Sequence, residues 1–438
     1  MPRRFWLLAV FVVGLAVHNL AMALLYGAGL RGSALTAVEA WKDVLLAGAL
    51  CWYAVRALRS RELPFRPNAV DALALAFGAL VCLYALLPQG WLGGSADLSG
   101  IAHGLRHDLL FVGGYFLGCC LGPLPRRLPA VLVATAALVG LFGLVEEYAV
   151  SLDWWRHSGA RGWFQHQLGF DYRGLSGLPE NFVYNLGNDE IVRRLIGTFL
   201  GPLATAFLLC VALLAAAAWR RRWTILPAAV AAAALLWTYS RSTWLALAFG
   251  LVVLALAQRR LALVAVAAVW LAVAAGYAQA FPHVAPEAHF TPTELRFQRN
   301  HAKGSDTSVS LADDASTRSH LRNLRDGIET VARHPQGFGL GNSGSTAARF
   351  GAAPKAGEST YTEVGVDAGL AGLVLFCAFN LLLLWRLLRR SPWVAAALAA
   401  VLALAVQTDV IGVPWLAFCL WAFAGAELAR NPRELPAA

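Results

Sequence analysis

Apolar residues run through this chain in long blocks separated by short polar breaks. The blocks lie at about 5–25, 35–55, 68–87, 105–122, 128–147, 195–218, 223–239, 242–257, 261–280, 361–384, 393–408 and 413–428. A helix needs about 20 residues to cross the hydrocarbon core of a bilayer, so the pattern predicts twelve spans. Two connections are long, about 148–194 and about 281–360. The second contains 316–333, where Leu321, Leu324, Ile328 and Val331 recur on one helical face. Ser316 or Thr317 is placed to cap that helix and His334-Pro335 to end it. A glycine-rich run from Gly337 to Gly344 follows. The expectation is an all-α polytopic membrane protein with about twelve transmembrane helices. Residues 1–280 hold spans one to nine, with an outer loop at 148–194. Residues 281–360 form a large, partly helical outer loop between spans nine and ten, and 361–438 hold spans ten to twelve and a cytoplasmic tail.

Basic residues orient the bundle. With a cytoplasmic N-terminus, Arg56, Arg59, Arg61, Arg66, Arg126, Arg127, Arg220, Arg221, Arg222, Arg259, Arg260, Arg386, Arg389 and Arg390 all fall in inner connections. Arg3, Arg4, Arg430 and Arg433 stand at the inner ends, whereas the short outer connections hold only Arg31, Arg106 and Arg241. Cytoplasmic loops of membrane proteins carry such an excess, so both termini are expected inside and both long loops outside. Composition agrees: 58% of the 438 residues are hydrophobic and 14% charged, against about a quarter charged in soluble domains. A soluble domain and a disordered chain are excluded. The formal charge of +10 lies in these short clusters, so no nucleic-acid partner is expected. Seven cysteines all fall inside apolar runs without zinc-site or disulfide spacing. The first apolar block lacks a convincing cleavage site and reads as a span.

Ionisable residues at the hydrocarbon boundary are costly unless paired or facing water, which makes them informative. They are Glu39, Lys42 and Asp43; Glu146 and Glu147; Arg193 and Arg194; Arg241; Glu358, Glu363 and Asp367; and Asp409. All lie in the outer half, and the inner halves are nearly free of charge, so polar chemistry belongs to the outer face. Lys42 with Glu39 or Asp43 reads as an ion pair inside the bundle, and Asp409 as either a helix-end hydrogen-bonding group or a functional one. Arg193 fits an interfacial residue that snorkels. Arg194 stands at the outer start of span six and Arg241 in the very short outer turn between spans seven and eight, each held by rigid spans. Arginine offers fixed bidentate donors suited to phosphate, so two of them facing one cavity would clamp a diphosphate. The glycine run lacks a following lysine and a preceding strand, and reads as a tight turn shaping the outer loop. His283, His289, His301, His320 and His334 have no metal-ligand spacing, so no metal site and no cofactor are expected. Trp154, Trp155 and Trp163 read either as platforms for sugar rings or as an interfacial belt.

Three segments in register carry a resemblance. They are Arg194-Leu195-Ile196-Gly197-Thr198-Phe199 with Pro202; Thr238-Tyr239-Ser240-Arg241-Ser242-Thr243-Trp244-Leu245-Ala246; and the run from Arg318 through His334-Pro335-Gln336-Gly337-Phe338-Gly339-Leu340-Gly341 to Glu358-Ser359-Thr360-Tyr361 and Gly369-Leu370-Ala371-Gly372-Leu373. Together they resemble the O-antigen ligase and O-antigen polymerase superfamily of bacterial membrane glycosyltransferases. Where many ligases have an HN pair before the tyrosine, this chain has Glu358-Ser359.

The resemblance implies transfer of a glycan from an undecaprenyl-diphosphate-linked donor to a hydroxyl of an acceptor glycan or lipid. The transfer is expected at the outer face of the bacterial cytoplasmic membrane, metal-independent and inverting. In that scheme Arg194 and Arg241, with Arg318 or Arg322, meet the charge of the leaving diphosphate, and Glu358 is the base. Arg193, Arg322, Tyr361, His334 and Glu363 are the expected substrate contacts, and the surrounding partners are membrane lipids. A polysaccharide polymerase of the same superfamily is the alternative. A lipid-linked glycan transporter or flippase would show broken or charged helices near the midplane and an inverted repeat, and neither is visible. A non-catalytic partner in glycan assembly would not need the Arg194/Arg241 pair.

Overall fold

A computed structural model describes residues 3–170, 178–179, 182–187, 190–219, 221–293 and 315–429. All twelve apolar blocks form helix. In chain order the helices are α1 (Arg3–Gly27), α2 (Gly32–Glu39), α3 (Trp41–Ser60), α4 (Ala69–Leu86), α5 (Gln89–Leu92), α6 (Leu98–Leu121), α7 (Leu128–Ala149), α8 (Leu152–His157), α9 (Pro202–Trp219), α10 (Ile225–Trp237), α11 (Arg241–Gln258), α12 (Ala262–Val284), α13 (Ala315–Arg333), α14 (Gly344–Arg349), α15 (Thr360–Arg390), α16 (Pro392–Leu404) and α17 (Trp421–Leu428). One hairpin, β1 (Val183–Gly187) against β2 (Glu190–Arg193), interrupts the helical order. Among the described residues seven helices are long and apolar enough to cross a membrane, namely α1, α4, α7, α9, α11, α12 and α15. Residues 222–237, α16 and 416–428 are apolar but shorter. The chain is therefore a helical polytopic membrane protein. Tyr172, Arg173, Arg220, His301, Arg430 and Arg433 lie outside the described residues, as do the side chains of Arg3, Arg4, Ser316, Thr317 and Arg318.

Two blocks depart from continuous helix, each for a visible reason. Block 35–55 breaks at Ala40 between α2 and α3. There Lys42, 2% exposed, donates from Nζ to the Glu39 carbonyl at 2.9 Å and stands 3.6 Å from the Glu39 carboxylate. Asp43 instead takes a bidentate bond from Arg106, at 2.9 and 3.1 Å. Block 195–218 becomes helical only at Pro202, a residue suited to the first helical position because its missing N–H has no partner to lose. Residues 194–201 form a turn pinned to α1: Leu20 N–H donates to Thr198 O at 3.1 Å, and Thr198 Oγ1 donates to Ala16 O at 2.5 Å. Thr205 Oγ1 closes the turn on Ile196 O at 2.6 Å.

Packing places the outer segments. The first outer loop is a small core of its own, with Trp155 and Trp163 each 1% exposed against Phe182, Phe164 and Met22. Burial removes these two rings from any sugar-stacking role and leaves Trp154, 46% exposed. α6 lies against α17 and the turn before it through small residues. A Cβ on Gly118 would stand 2.0 Å from Ala422 O, so only glycine allows that backbone approach. α13 packs on α15, but not along its full apolar stripe. Val331 is buried at 7%, whereas Leu321 and Ile328 stay 58% and 57% exposed. The contact line runs instead through Gly327, where a Cβ would meet Thr362 at 2.9 Å, and through Val331 against Gly365.

The glycine-rich run is the seam between these layers. α15 is broken at Gly369 (φ 70°), and the segment after α13 threads into the break. Leu370 N–H donates to Pro335 O at 2.8 Å and Phe338 N–H to Val366 O at 2.7 Å. The run then continues between α6 and α15, where a Cβ on Gly104 would stand 2.7 Å from Gly341 N. The tight turn expected from the sequence is thus buried inside the bundle mouth.

Candidate functional site

Three groups of ionisable residues stand out: a basic turn, an exposed carboxylate–imidazole pair and a buried acidic cluster. In the basic turn, β2 leans on the end of α12, with Arg193 N–H donating to Pro286 O at 2.8 Å. The Arg193 side chain turns inward, 6% exposed, and donates from Nη2 to Glu146 Oε1 at 2.6 Å and from Nη1 to Val150 O. Trp155 Nε1 donates to the same Glu146 oxygen at 2.6 Å. Arg193 is therefore an internal tie, not a group presented to a substrate.

Arg194 reaches the other way. Its Nε donates to Thr238 O at 3.0 Å and Nη2 to Tyr239 O at 3.4 Å, so the first sequence motif holds the second from beneath. Tyr239 is in the left-handed region (φ 50°), and its ring stacks on Phe281 with centroids 4.0 Å apart. The Arg241 guanidinium lies over Tyr239 and Tyr184, 5.5 and 6.0 Å from the ring centres. Burial, helped by repulsion from Arg241, pulls Arg194 down to about 10, which leaves it charged at neutral pH. Arg241 thus lies against an aromatic wall while Arg194 is bonded to the backbone of the same turn, and guanidinium groups so placed can pair with an anion.

Glu358 ends the outer loop one residue before the α15 cap. Its φ of 65° is strained for a residue with a Cβ, at a cost on the order of 1–3 kcal/mol. The other non-glycine residues with positive φ divide neatly. Arg61 and Arg259 follow α3 and α11 at helix ends, where that conformation is ordinary. Leu200 and Tyr239, like Glu358, lie in the motif segments. His320 Nδ1 on α13 sits 2.5 Å from Glu358 Oε2, and this hydrogen bond holds the carboxyl below its ordinary range although partial burial opposes it. The next residues anchor the segment: Ser359 Oγ donates to Ala405 O at 3.1 Å and Thr360 Oγ1 to Thr408 O at 3.1 Å.

The acidic cluster unites residues far apart in the chain. His107 on α6 lies between two carboxylates, with Nδ1 2.8 Å from Asp108 Oδ1 and Nε2 2.9 Å from Asp409 Oδ2. Glu363 of α15 is 5% exposed and points into the same space. One turn on, Asp367 accepts from the N–H groups of Gly341 and Asn342 at 3.3 and 3.2 Å, which pins the glycine run.

The remaining expected residues are spread over the mouth. Arg322 is exposed on α13, and Arg318 lies on the same helix. His334 lines an open hollow of about 380 Å³ with Asp326, Lys355 and Phe338. Tyr361 donates to Leu402 O at 2.9 Å, and its ring faces an apolar groove of about 360 Å³ with Phe249, Cys377 and Leu381. His107 and Asp108 were not expected. Their signal was a polar pair inside the apolar block 105–122.

Residues 226–377 match the family model described as O-antigen ligase. The match takes in the Arg241 turn, α13, Glu358 and the start of α15, roughly a third of the chain, and this part is similar to the O-antigen ligase family. No curated protein matches the chain. The helices make a multi-pass membrane protein, and the match points toward an enzyme of the glycosyltransferase type.

Proposed function

We propose that the protein transfers a glycan from undecaprenyl diphosphate to a hydroxyl of an acceptor glycan or lipid, in the manner of a ligase, at the outer face of the bacterial cytoplasmic membrane. The observation that carries this reading is the pair Arg194 and Arg241, the first bonded to the backbone of the turn and the second against its aromatic wall. A lipid diphosphate is already an activated leaving group, so the transfer needs no nucleotide. The charge that develops on it as the glycosidic bond breaks calls for preorganised donors, and guanidinium groups serve there in place of a metal. Glu358 takes the proton of the attacking hydroxyl. A carboxylate held low by His320 is ionised at neutral pH, as a base must be, though its driving force for proton abstraction is modest. A single displacement inverts the anomeric centre. The apolar groove beside Tyr361 suits the polyprenyl tail.

The test uses the purified protein in lipid nanodiscs with a short-chain polyprenyl-diphosphate oligosaccharide and candidate acceptors. Glycan on a separate acceptor, with release of polyprenyl diphosphate, is the ligase outcome, whereas a lengthened donor glycan is the polymerase outcome. Glu358→Gln is expected to lower the rate by about 10²–10⁴-fold, the usual contribution of a positioned base. A folded Glu358→Gln protein with wild-type turnover overturns the assignment of the base.

A further inference from the structure

The acidic cluster carries more negative charge than the described residues around it can answer. Asp108, Glu363, Asp367 and Asp409 meet only one potential cation, the imidazole of His107. Among the described residues no lysine or arginine pairs with any of them. Buried carboxylates are stable when paired, protonated or bound to a metal. Asp108 meets the imidazole with one oxygen only. Asp108, 1% exposed, has Oδ2 without a hydrogen-bond partner. The Glu363 carboxyl, at 5% exposure, forms no ion pair with a lysine or arginine among the described residues.

We propose that His107, Glu363 and Asp409 bind a divalent transition-metal ion, of the Mn2+ or Zn2+ kind, with Asp108 orienting the imidazole. One ligand atom from each of the three lies within 4.8 Å of the other two. Opposite ligands around an ion with bonds of about 2.1 Å stand about 4.2 Å apart, so a small inward movement completes the set. One nitrogen with two carboxylates favours manganese or zinc over calcium, which prefers oxygen alone. The arrangement behind the imidazole fits as well. With the metal on Nε2, Nδ1–H donates to Asp108, the carboxylate–histidine–metal relay common at such centres. Space is kept by two glycines: a Cβ on Gly344 would stand 2.5 Å from the Glu363 carboxyl carbon, and one on Gly412 would stand 2.0 Å from Asp409 Oδ2. The ion ties α6, α15 and the segment after α16 together, two turns or less from Glu358. Its role is to position that segment, while the arginines meet the diphosphate. The site is read from its own geometry and stands whether or not the transfer reading holds.

The full-length protein in detergent, stripped with a chelator and returned to chelator-free buffer, is titrated with Mn2+ while the electron-paramagnetic-resonance signal of free Mn2+ is followed. Zn2+ uptake is counted by elemental analysis. About one equivalent per chain is expected, as for a single built site. Glu363→Gln and Asp409→Asn should abolish it, and Asp326→Asn on the face of α13 should leave it intact. Asp108→Asn keeps all three ligands and should weaken binding by about 10–100-fold, the usual effect of a lost orienting carboxylate. It also keeps the test decisive if the ligand variants fail to fold. A monodisperse wild type that leaves the free Mn2+ signal unchanged and takes up no Zn2+ overturns the proposal, and shows that protons neutralise the cluster. Binding that survives in the Glu363 and Asp409 variants overturns it equally.

Discussion

The basic turn and the acidic cluster solve opposite problems a short distance into the same mouth. In the turn Arg193 has a counter-charge in Glu146, while Arg194 bonds two neutral carbonyls of the next motif. The acidic cluster brings four carboxylates to one imidazole and leaves Asp108 Oδ2 unmatched. A charge with its partner in place is structural and costly to remove. A charge in excess is held for something that binds, and the scaffold around it bears the repulsion. The two regions should therefore respond in opposite ways to the loss of one charge.

The largest effect is expected from Arg193→Ala. It leaves Glu146 buried beside Trp155 without its cation, and breaking such a pair costs about 3–5 kcal/mol. Thermal unfolding in detergent reads this directly; a midpoint within a degree or two of wild type would show that Glu146 is already neutral. Next comes Arg241→Ala, which should lower glycan transfer by about 10²–10³-fold with folding intact, the usual loss on removing one preorganised donor. Equal loss of donor binding and of turnover would instead mark Arg241 as a binding group alone.

His320→Ala sharpens the comparison at the third charged pair. Glu358 is held low by His320, so its base form persists into acid. Without His320 the carboxyl returns toward the ordinary value of about 4.3, and the acid limb of the rate profile should move to higher pH. For stability the sign follows the same shift. The contribution of Glu358 is complete above the ordinary carboxyl range and is lost as pH falls through its lowered folded value. At 43% side-chain exposure solvent screens most of it, so the unfolding midpoint should move little. The smallest effect belongs to the acidic cluster. Asp367→Asn keeps an acceptor for one of the Gly341 and Asn342 N–H groups and loses the other while removing one like charge, so its midpoint in metal-free buffer should change little. A marked fall would mean that the cluster is balanced and not in excess.

Much of the fold could be read from the chain because a bilayer imposes a one-dimensional rule. A span must be long, apolar and internally hydrogen-bonded, and all twelve apolar blocks form helix, with boundaries mostly within a few residues. The exceptions lie where a tertiary contact outweighs apolarity: residues 194–201 form a turn because α1 and Thr205 bind it, and α13 turns its glycine edge to α15 because close approach there outweighs the leucine stripe. Arg194 and Arg241 were legible because each is a charge at the start of an apolar block, where water and lipid both constrain it. Arg193 was not, since its sequence neighbours do not show which way a side chain faces. Its partner Glu146 is 47 residues away.

The sequence by itself determined the membrane-spanning helical architecture, the sidedness expected from its arginines and the two motifs of the basic turn. These depend on local composition and on neighbours along the chain. Only the tertiary structure decided which charges meet. His107 and Asp409 are 302 residues apart, and Glu363, on a third segment, joins them in space. Electrostatic energy depends on distance in space, and distance in space is what a sequence does not carry.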